Sequence, residues 1–267
     1  GYYEPVIAGS RTRTDRFTVP VLRRPADLVN IVSESERGAK AEALTHARKT
    51  ATGTEPFATR EEIEEGALAG QGLELVWLED AVDAFFLHVQ GSGLIAFGDG
   101  TTARITYDGK NGHPYTSVGR YLIDAGLFPA DQMSLQVLKD WLRANGACGI
   151  AAMRQNKSYV FFRELTGDAA GSALGAMEIP LSDHRSLAVD TRFHALGTPV
   201  FVVAPTLRHA GGSDGFHRLM VAQDVGSAIR GPERGDIYFG TGDEAGRKAG
   251  ITKHPGNFFV LLPEAVP

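Results

Sequence analysis

Leu219–Gly250 reads LMVAQDVGSAIRGPERGDIYFGTGDEAGRKAG. It opens with strand character at Leu219–Val221 and carries Asp224 just beyond that run. It crosses a Gly- and Pro-containing turn from Gly226 to Gly235, sets Asp236 at the mouth of Ile237–Phe239, and continues into Gly240 and Gly242. Charged residues seldom sit among β-formers unless they are paired or functional. Glycines beside them let a backbone or a ligand come close. Two carboxylates on neighbouring segments, walled by glycine, are raw material for acid/base chemistry.

The strands around this stretch are short: Leu187–Val189, Val200–Ala204, Leu219–Ala222, Ile237–Phe239 and Phe258–Leu262, with turns between them. That spacing predicts an all-β unit and a small closed barrel. Upstream, 166–176 (TGDAAGSALGA) is small and Gly-rich, a hinge or boundary. The expected domains are therefore 1–165 and 166–267. In the first, Phe17–Leu22 reads as a strand interrupted by Pro20, and 24–56 as an exposed, mobile excursion. Thr59-Arg60-Glu61-Glu62 is a capping box for a short helix to about Ala69. Leu73–Leu78, Ala84–Val89, Leu94–Phe97 and Thr102–Tyr107 read as strands of an antiparallel meander. Ser117 and Ser134 cap helices that stop at Gly126 and Asn145-Gly146; a third helix lies near Ile150–Gln155, and Tyr159–Phe162 is a strand.

With 267 residues and 43% apolar content the chain can bury one or two cores. A net charge of −5 argues against a nucleic-acid partner. No apolar run reaches the length of about 18 residues that a membrane helix needs. Cys148 is the single cysteine, so no intrachain disulfide forms, and no Cys/His spacing suggests zinc. No cofactor is called for. The chain opens at Gly1 without methionine, which reads as a processed or trimmed chain and leaves room for a leader or an anchor upstream.

Asp190, Asp224 and Asp236 each fall at the end of an expected strand. The plain alternative is that they cap turns or pair with Arg192, Arg230 and Arg234. Gln90-Gly91-Ser92-Gly93 and Lys110-Asn111-Gly112-His113 put short polar groups on a backbone that can lie close to a sugar; ordinary turns explain them equally well. Tyr2, Tyr3, Tyr107 and Tyr115 suit stacking on sugar rings or filling a core. Gly240-Thr241-Gly242 is no phosphate loop, since it lacks the Lys-Ser/Thr, and no helix is expected after it.

Taken in order, these motifs resemble the MltA family of lytic transglycosylases. The resemblance rests on Gly1-Tyr2-Tyr3-Glu4-Pro5, His88-Val89-Gln90-Gly91-Ser92-Gly93, Phe97-Gly98-Asp99-Gly100, Gly109-Lys110-Asn111-Gly112-His113, Ser158–Phe162, Val189-Asp190-Thr191, Gly197-Thr198-Pro199 and Leu219–Gly250. The last third is similar to the domain named for three aspartates, matched by Asp190, Asp224 and Asp236. Where the family has two glycines after the second of these, this chain has Gly226-Ser227. The resemblance implies a mainly β fold with some α: a double-psi β-barrel and a second, smaller β-barrel with helices, separated by a groove. It implies that a segment before Gly1 completes the first barrel. It implies Asp236 as catalytic acid/base with Asp224 beside it, and peptidoglycan glycan strands as partner. It leaves open a place in a cell-wall synthesis or hydrolysis complex. It implies a monomer in the periplasm, associated with the outer membrane in the full-length protein.

Under that resemblance one carboxyl suffices. Asp236 protonates the glycosidic oxygen, then takes the proton of the C6 hydroxyl that attacks C1 of N-acetylmuramic acid. Burial and a negative Asp224 would favour the proton-bearing form of Asp236. Gln90, Gly91, Ser92, Gly93, Lys110, Asn111, Asp190, Tyr2 and Glu4 are put forward as substrate contacts. Two rivals remain: a hydrolase using Asp224 and Asp236 as a pair, and a non-catalytic wall-binding module.

Overall fold

A computed structural model describes residues 1–31 and 44–264, which divide into two compact units: Pro5–Ala170, and Gly1–Glu4 together with the residues from Gly171 onward. The chain is mixed, mainly β, with several sheets. Its first strand, β1 (Tyr2–Glu4), thus belongs with the C-terminal half.

In the Pro5–Ala170 unit, β2 (Val6–Ser10) and β3 (Val19–Leu22) are followed by a small antiparallel sheet of β4 (Leu28–Asn30), β5 (His46–Thr50) and β6 (Gly53–Glu55). The sequence reads 24–56 as an exposed excursion. Its described parts instead carry this sheet, and Thr45, His46 and Ala47 are buried in it. The rest of that stretch, 32–43, lies outside the described residues. Next come α1 (Arg60–Glu64), β7 (Glu74–Leu78), α2 (Ala81–Gln90), β8 (Ser92–Phe97) and β9 (Thr102–Lys110). The unit closes with α3 (Val118–Asp124), α4 (Leu135–Ala144), α5 (Gly146–Arg154) and β10 (Val160–Glu164).

The six-stranded sheet has the order β10-β9-β8-β2-β7-β3, with β2 and β8 parallel. Pro20 sits on β3, the edge strand, where a missing N–H costs little. Val21, Val76, Leu78, Leu87, Ile95, Ile105 and Phe162 form its core. The helices bury a second cluster around Phe85, Phe86, Leu122, Leu142 and Met153.

One expectation fails here for an identifiable reason. Ala84–Val89, read as a strand, is the body of α2. Asp80 accepts from the Val82 N–H at its start, and Gly91 leaves it in the left-handed region at φ 79°. Both faces of α2 are covered, so the run shows no helical period in its apolarity. As expected, α4 stops at Asn145; the third helix, α5, begins at Gly146, earlier than the expected Ile150.

The second unit contains β1, β11 (Ser186–Val189), β12 (Pro199–Ala204), α6 (Arg208–Gly211), β13 (Phe216–Val225), β14 (Gly235–Thr241), α7 (Asp243–Gly250) and β15 (Asn257–Val260). Its sheet runs β1-β14-β11-β13-β12-β15. β1 pairs β14 in parallel and β11 pairs β13 in parallel, while the other pairs are antiparallel. The unit is not all-β as expected. In particular a helix, α7, does follow Gly240-Thr241-Gly242. Its buried face is Ala245, Gly246 and Ala249, small residues that carry no apolar stripe for a periodicity argument to find. A Cβ on Gly246 would meet the Tyr3 ring at 2.7 Å, so the helix lies directly on β1.

Candidate active site

The centre of the second unit's sheet sets the geometry. Ala188 on β11 is paired on one side with Asp224 of β13 and on the other with Asp236 of β14. Laterally paired residues share a face, and strands stand about 4.8 Å apart, so the two aspartate Cα atoms are about 10 Å apart on one face. The residue between them, Ala188, is buried.

Asp236 stands at the start of β14. Gly235 before it allows a close approach: a Cβ there would strike Phe258 at 2.6 Å. The Asp236 side chain is 21% exposed and its Oδ1 lies 3.0 Å from Arg234 Nη2 and 3.7 Å from the Gly1 nitrogen. Oδ1 itself is buried and accepts no hydrogen bond. The contact with Arg234 is thus an ion pair without hydrogen-bond alignment, and the Arg234 side chain is 49% exposed.

Asp190 shows what a clamped carboxylate looks like. Its side chain is buried and takes hydrogen bonds from the Arg192 guanidinium on both oxygens, from the Arg192 N–H, and from the Gly231 N–H. Hydrogen bonding to Arg192 holds its carboxyl well below the usual carboxylate range. Its carboxylate is occupied in stapling the 231 turn to the end of β11.

Asp224 is different again. Oδ1 accepts the N–H groups of Ala176, at 3.1 Å, and Val225, at 2.9 Å. Burial pushes its carboxyl up from 3.8 to about 6, against those hydrogen bonds. Tyr2 on β1 sits opposite Tyr238 of β14, the two rings tilted against each other at 5.3 Å. Its hydroxyl is buried, and burial first, with Asp224 second, raises it well above the usual phenol value. Glu4 is fully buried, with Thr241 Oγ1 donating to its carboxylate and Gly242 N–H to its carbonyl.

A stability prediction follows for Asp224. Its proton is held more tightly in the folded chain, at about 6, than at the ordinary 3.8. The penalty is therefore absent below about pH 4, grows through pH 6, and is complete above it. The full difference corresponds to about 3 kcal/mol; since the residue keeps some exposure, about 2 kcal/mol is the working figure. Asp224→Asn keeps the amide-accepting oxygen and removes the charge. It is expected to be more stable than the wild type by about 2 kcal/mol at pH 8 and equal at pH 4. Urea midpoints at the two pH values check this, and a difference independent of pH refutes it.

The candidates from the first domain sit together at the ends of α2 and β9. Gln90 ends α2, Gly91 makes the left-handed turn, and Ser92 and Gly93 are buried at the start of β8. Lys110 is half-buried at the end of β9. Asn111 is fully buried: its amide donates to the Ala58 and Lys157 carbonyls at 2.9 and 2.8 Å and accepts the Tyr159 N–H at 2.9 Å. Gly112 is obligatory, because at φ 88° a Cβ would lie 2.2 Å from the His46 carbonyl. A cleft of about 480 Å³ on this unit is lined by Arg48, Phe57, Thr59, Glu62 and His113. Among the described residues no group of three His, Cys, Asp or Glu is placed to hold a metal.

Two features escaped the sequence reading. Ala188 gives no signal, since only strand register makes it matter. Tyr2, put forward as a substrate contact, sits opposite Tyr238 by the parallel pairing of β1. Arg60 was visible only inside a capping box, yet its side chain is buried.

Comparison with known proteins gives a consistent answer. The family model of the MltA specific insert domain matches residues 1–163, and that of the 3D domain matches 185–262. Membrane-bound lytic murein transglycosylase A of Vibrio cholerae is 40% identical over 213 residues, covering 78% of this chain and 57% of that protein. Its counterpart in Escherichia coli K12 is 36% identical over 265 residues, 98% of this chain and 64% of that protein. The crystal structure of the membrane-bound lytic murein transglycosylase from Agrobacterium tumefaciens aligns with a TM-score of 0.90 at 39% identity, covering 98% of this chain and 73% of that one. Escherichia coli MltA with bound chitohexaose aligns at 0.77 and 34% identity, covering 97% and 70%. The chain thus spans about 57% to 65% of the length of the curated relatives it matches.

Proposed function

The chain belongs to the MltA family, and from that premise we propose that it carries the active site of a lytic murein transglycosylase acting on peptidoglycan. The bond cleaved is the β-1,4 link between N-acetylmuramic acid and N-acetylglucosamine, leaving a 1,6-anhydromuramic acid end. The observation that carries this reading is the buried, unaccepting Oδ1 of Asp236, in a chain whose other candidate carboxylates are already occupied by donors. A buried oxygen without a donor is costly unless a ligand supplies one. The C6 hydroxyl of the sugar is such a donor.

The steps balance with one side chain. Protonated Asp236 gives its proton to the leaving O4 of N-acetylglucosamine as the C1–O4 bond breaks. The C6 hydroxyl of muramic acid forms the C1–O6 bond and returns its proton to Asp236. No water enters. Intramolecular attack gains from proximity. Arg234 Nη2 lies 3.0 Å from Asp236 Oδ1. Its single, misaligned contact differs from the Arg192 clamp on Asp190 and leaves the Asp236 oxygen available.

We assign Asp224 as the neighbouring carboxyl, and Tyr2, Gln90, Gly91, Ser92 and Lys110 as the groups nearest substrate. Asp190, Glu4, Gly93 and Asn111 hold the segments that present them. We read the β1-β14-β11-β13-β12-β15 sheet as a double-psi β-barrel and the other large sheet as a smaller barrel. Glycan strands fit as partner, since a family member is known with bound chitohexaose. The relatives are named as membrane-bound, which suits a protein working at the cell wall on the periplasmic side. Among the described residues no helix is long and apolar enough to cross a membrane.

A second reading has an observation in its favour. The raised Asp224, on the same face as Asp236 with one strand between, suits an acid/base pair that activates water between two carboxyls. Digestion of purified peptidoglycan decides between them by mass. The anhydro product is one water lighter than the hydrolytic one. Binding without release of soluble fragments would leave only a wall-binding module.

A further inference from the structure

Arg192, Arg230 and Arg234 lie near the candidate carboxyls in sequence, and the first two are already in use. Arg192 is bound to both oxygens of Asp190. Arg230 turns back on its own loop, donating to the Ile229 carbonyl at 2.8 Å and the Gly226 carbonyl at 3.4 Å. Arg234 differs. Among the described residues its one ion-pair partner is Asp236, at 3.0 Å, and no hydrogen bond aligns on that contact. Its side chain is 49% exposed against 21% for Asp236, so the guanidinium is the more open of the two groups. The turn beneath it is fixed: the Gly231 N–H donates to Asp190, and the Arg234 N–H reaches back to the Gly231 carbonyl at 3.4 Å. A guanidinium carries five N–H donors in a rigid fork, which matches a carboxylate or a carbonyl brought by a ligand. The reaction scheme above gives these donors no task.

We propose that Arg234 is a specificity-determining residue: it takes the carboxyl oxygens of the lactyl group on the muramic acid whose C1 is attacked. The proposal rests on the transglycosylase reading and deepens it. In that scheme Asp236 serves both the leaving O4 and the C6 hydroxyl, so this sugar lies against the acid. Its lactyl ether hangs on C3 of the same ring, two carbons from C1. The ether ends in a carboxylate, or in an amide carbonyl where a peptide is attached. N-Acetylglucosamine has a plain hydroxyl at that position, and the two sugars differ there alone. A half-exposed cation beside the acid is therefore placed to tell them apart. Protonated Asp236 offers Arg234 no negative charge, and a lactyl carboxylate supplies one. A bond to the carboxylate is charge-assisted on both sides and stronger than one to the amide carbonyl.

The test removes the fork and compares two ligands. Arg234→Met keeps length without charge or donors, and its one unaligned, half-exposed contact is of a kind worth little to stability, so the urea midpoint should hardly move. Full-length protein carrying Asp236→Asn cuts no strand, and its neutral side chain stands in for the protonated acid. In that background calorimetry reads the affinity for two probes: glycan strands stripped of peptides by an amidase, which bear lactyl carboxylates, and chitohexaose, which bears none. Adding Arg234→Met should weaken binding of the stripped strands about 10-fold and leave chitohexaose within about 2-fold. Arg234→Lys keeps the charge without the fork and should cost the stripped strands about 3-fold. With Asp236 restored, Arg234→Met should raise KM for peptide-bearing peptidoglycan about 3-fold, with kcat within about 2-fold. Equal weakening for both probes would make Arg234 a general glycan contact and overturns the proposal. So does an unchanged affinity for the stripped strands, or a fall in kcat at constant KM, which would mean that Arg234 acts through Asp236. The contrast between the two probes reads out even in a protein that releases no anhydro product, so the failure of this inference and the failure of the transglycosylase reading remain distinct.

Discussion

Asp236→Asn is expected to leave the protein folded and to cut the release of anhydro-ended fragments by about 10⁴-fold, because one carboxyl performs both proton transfers. General acid catalysis alone is worth about 10² to 10⁴, and here the same group serves again as base. Asparagine keeps the volume and the accepting oxygen but carries no transferable proton. The stability cost should be small, since the Asp236–Arg234 pair is partly exposed and not hydrogen-bonded, a kind of contact worth roughly 0 to 1 kcal/mol. The measurement is fragment release from purified peptidoglycan, with circular dichroism and a urea midpoint on the same sample. A folded variant retaining more than about a tenth of wild-type activity would remove Asp236 from the mechanism. Asp190→Asn should behave in the opposite manner. It weakens a carboxylate that binds Arg192 and the 231 turn, so it should lose stability before it loses chemistry.

That contrast bears on what a sequence can say about three similar aspartates. All three fall at strand ends and all three have an arginine nearby in sequence. For Asp190 the plain alternative of an arginine-paired turn residue is what the hydrogen bonds show. For Asp224 and Asp236 the deciding facts are register facts: both oppose Ala188, and β1 pairs Tyr2 with Tyr238 beside β14. Register is long-range, because residue 2 pairs with residue 238 and no local pattern records that. The order of the motifs did carry the family, since several unrelated short patterns in one sequence are specific in a way that each is not.

The misread elements have a common cause. α2 is covered on both sides, so its apolar residues run together like those of a buried strand. α7 packs through alanine and glycine, so it has almost no apolar residues to space. The helices with one wet face, α3 and α4, begin at the serine caps that the sequence marks, Ser117 and Ser134. Caps are local chemistry and legible; burial on every side is tertiary and is not. Asn111 shows the same limit within the candidate site. Its turn looks like a solvated Lys-Asn-Gly-His loop, yet the amide is buried and joins three segments, at Ala58, Lys157 and Tyr159.

Arg60 leads to the second large expectation: Arg60→Ala should destabilise the Pro5–Ala170 unit by about 3 to 5 kcal/mol. The side chain is 1% exposed. Its guanidinium donates to the Asn156 carbonyl at 3.0 Å, to the Ser158 carbonyl at 2.6 Å and to His88 Nδ1 at 3.1 Å, and it pairs with Glu64 at 3.3 Å. It also lies over the rings of Phe85 and Tyr159 at 4.9 and 5.4 Å. Truncation would orphan two buried carbonyls and open a cavity lined by aromatic rings, and each of these costs free energy. His88 reports on the same joint. Burial first, and Arg60 second, hold its imidazole well below the usual histidine value, which keeps Nδ1 an acceptor. Because that folded value is depressed, the cost of His88 is absent above about pH 6.5 and grows as pH falls below it. Without Arg60 the imidazole should be easier to protonate, so the loss of stability in Arg60→Ala should shrink between pH 7.5 and pH 5. Arg60→Lys keeps a charge but not the fork that serves two carbonyls, and should recover less than half of the loss. Urea midpoints of both variants at the two pH values settle the matter. A cost under about 1 kcal/mol for Arg60→Ala would mean that water takes over the carbonyls and that the arginine is not what joins α2, the end of Gln90-Gly91 included, to the strand before Phe161.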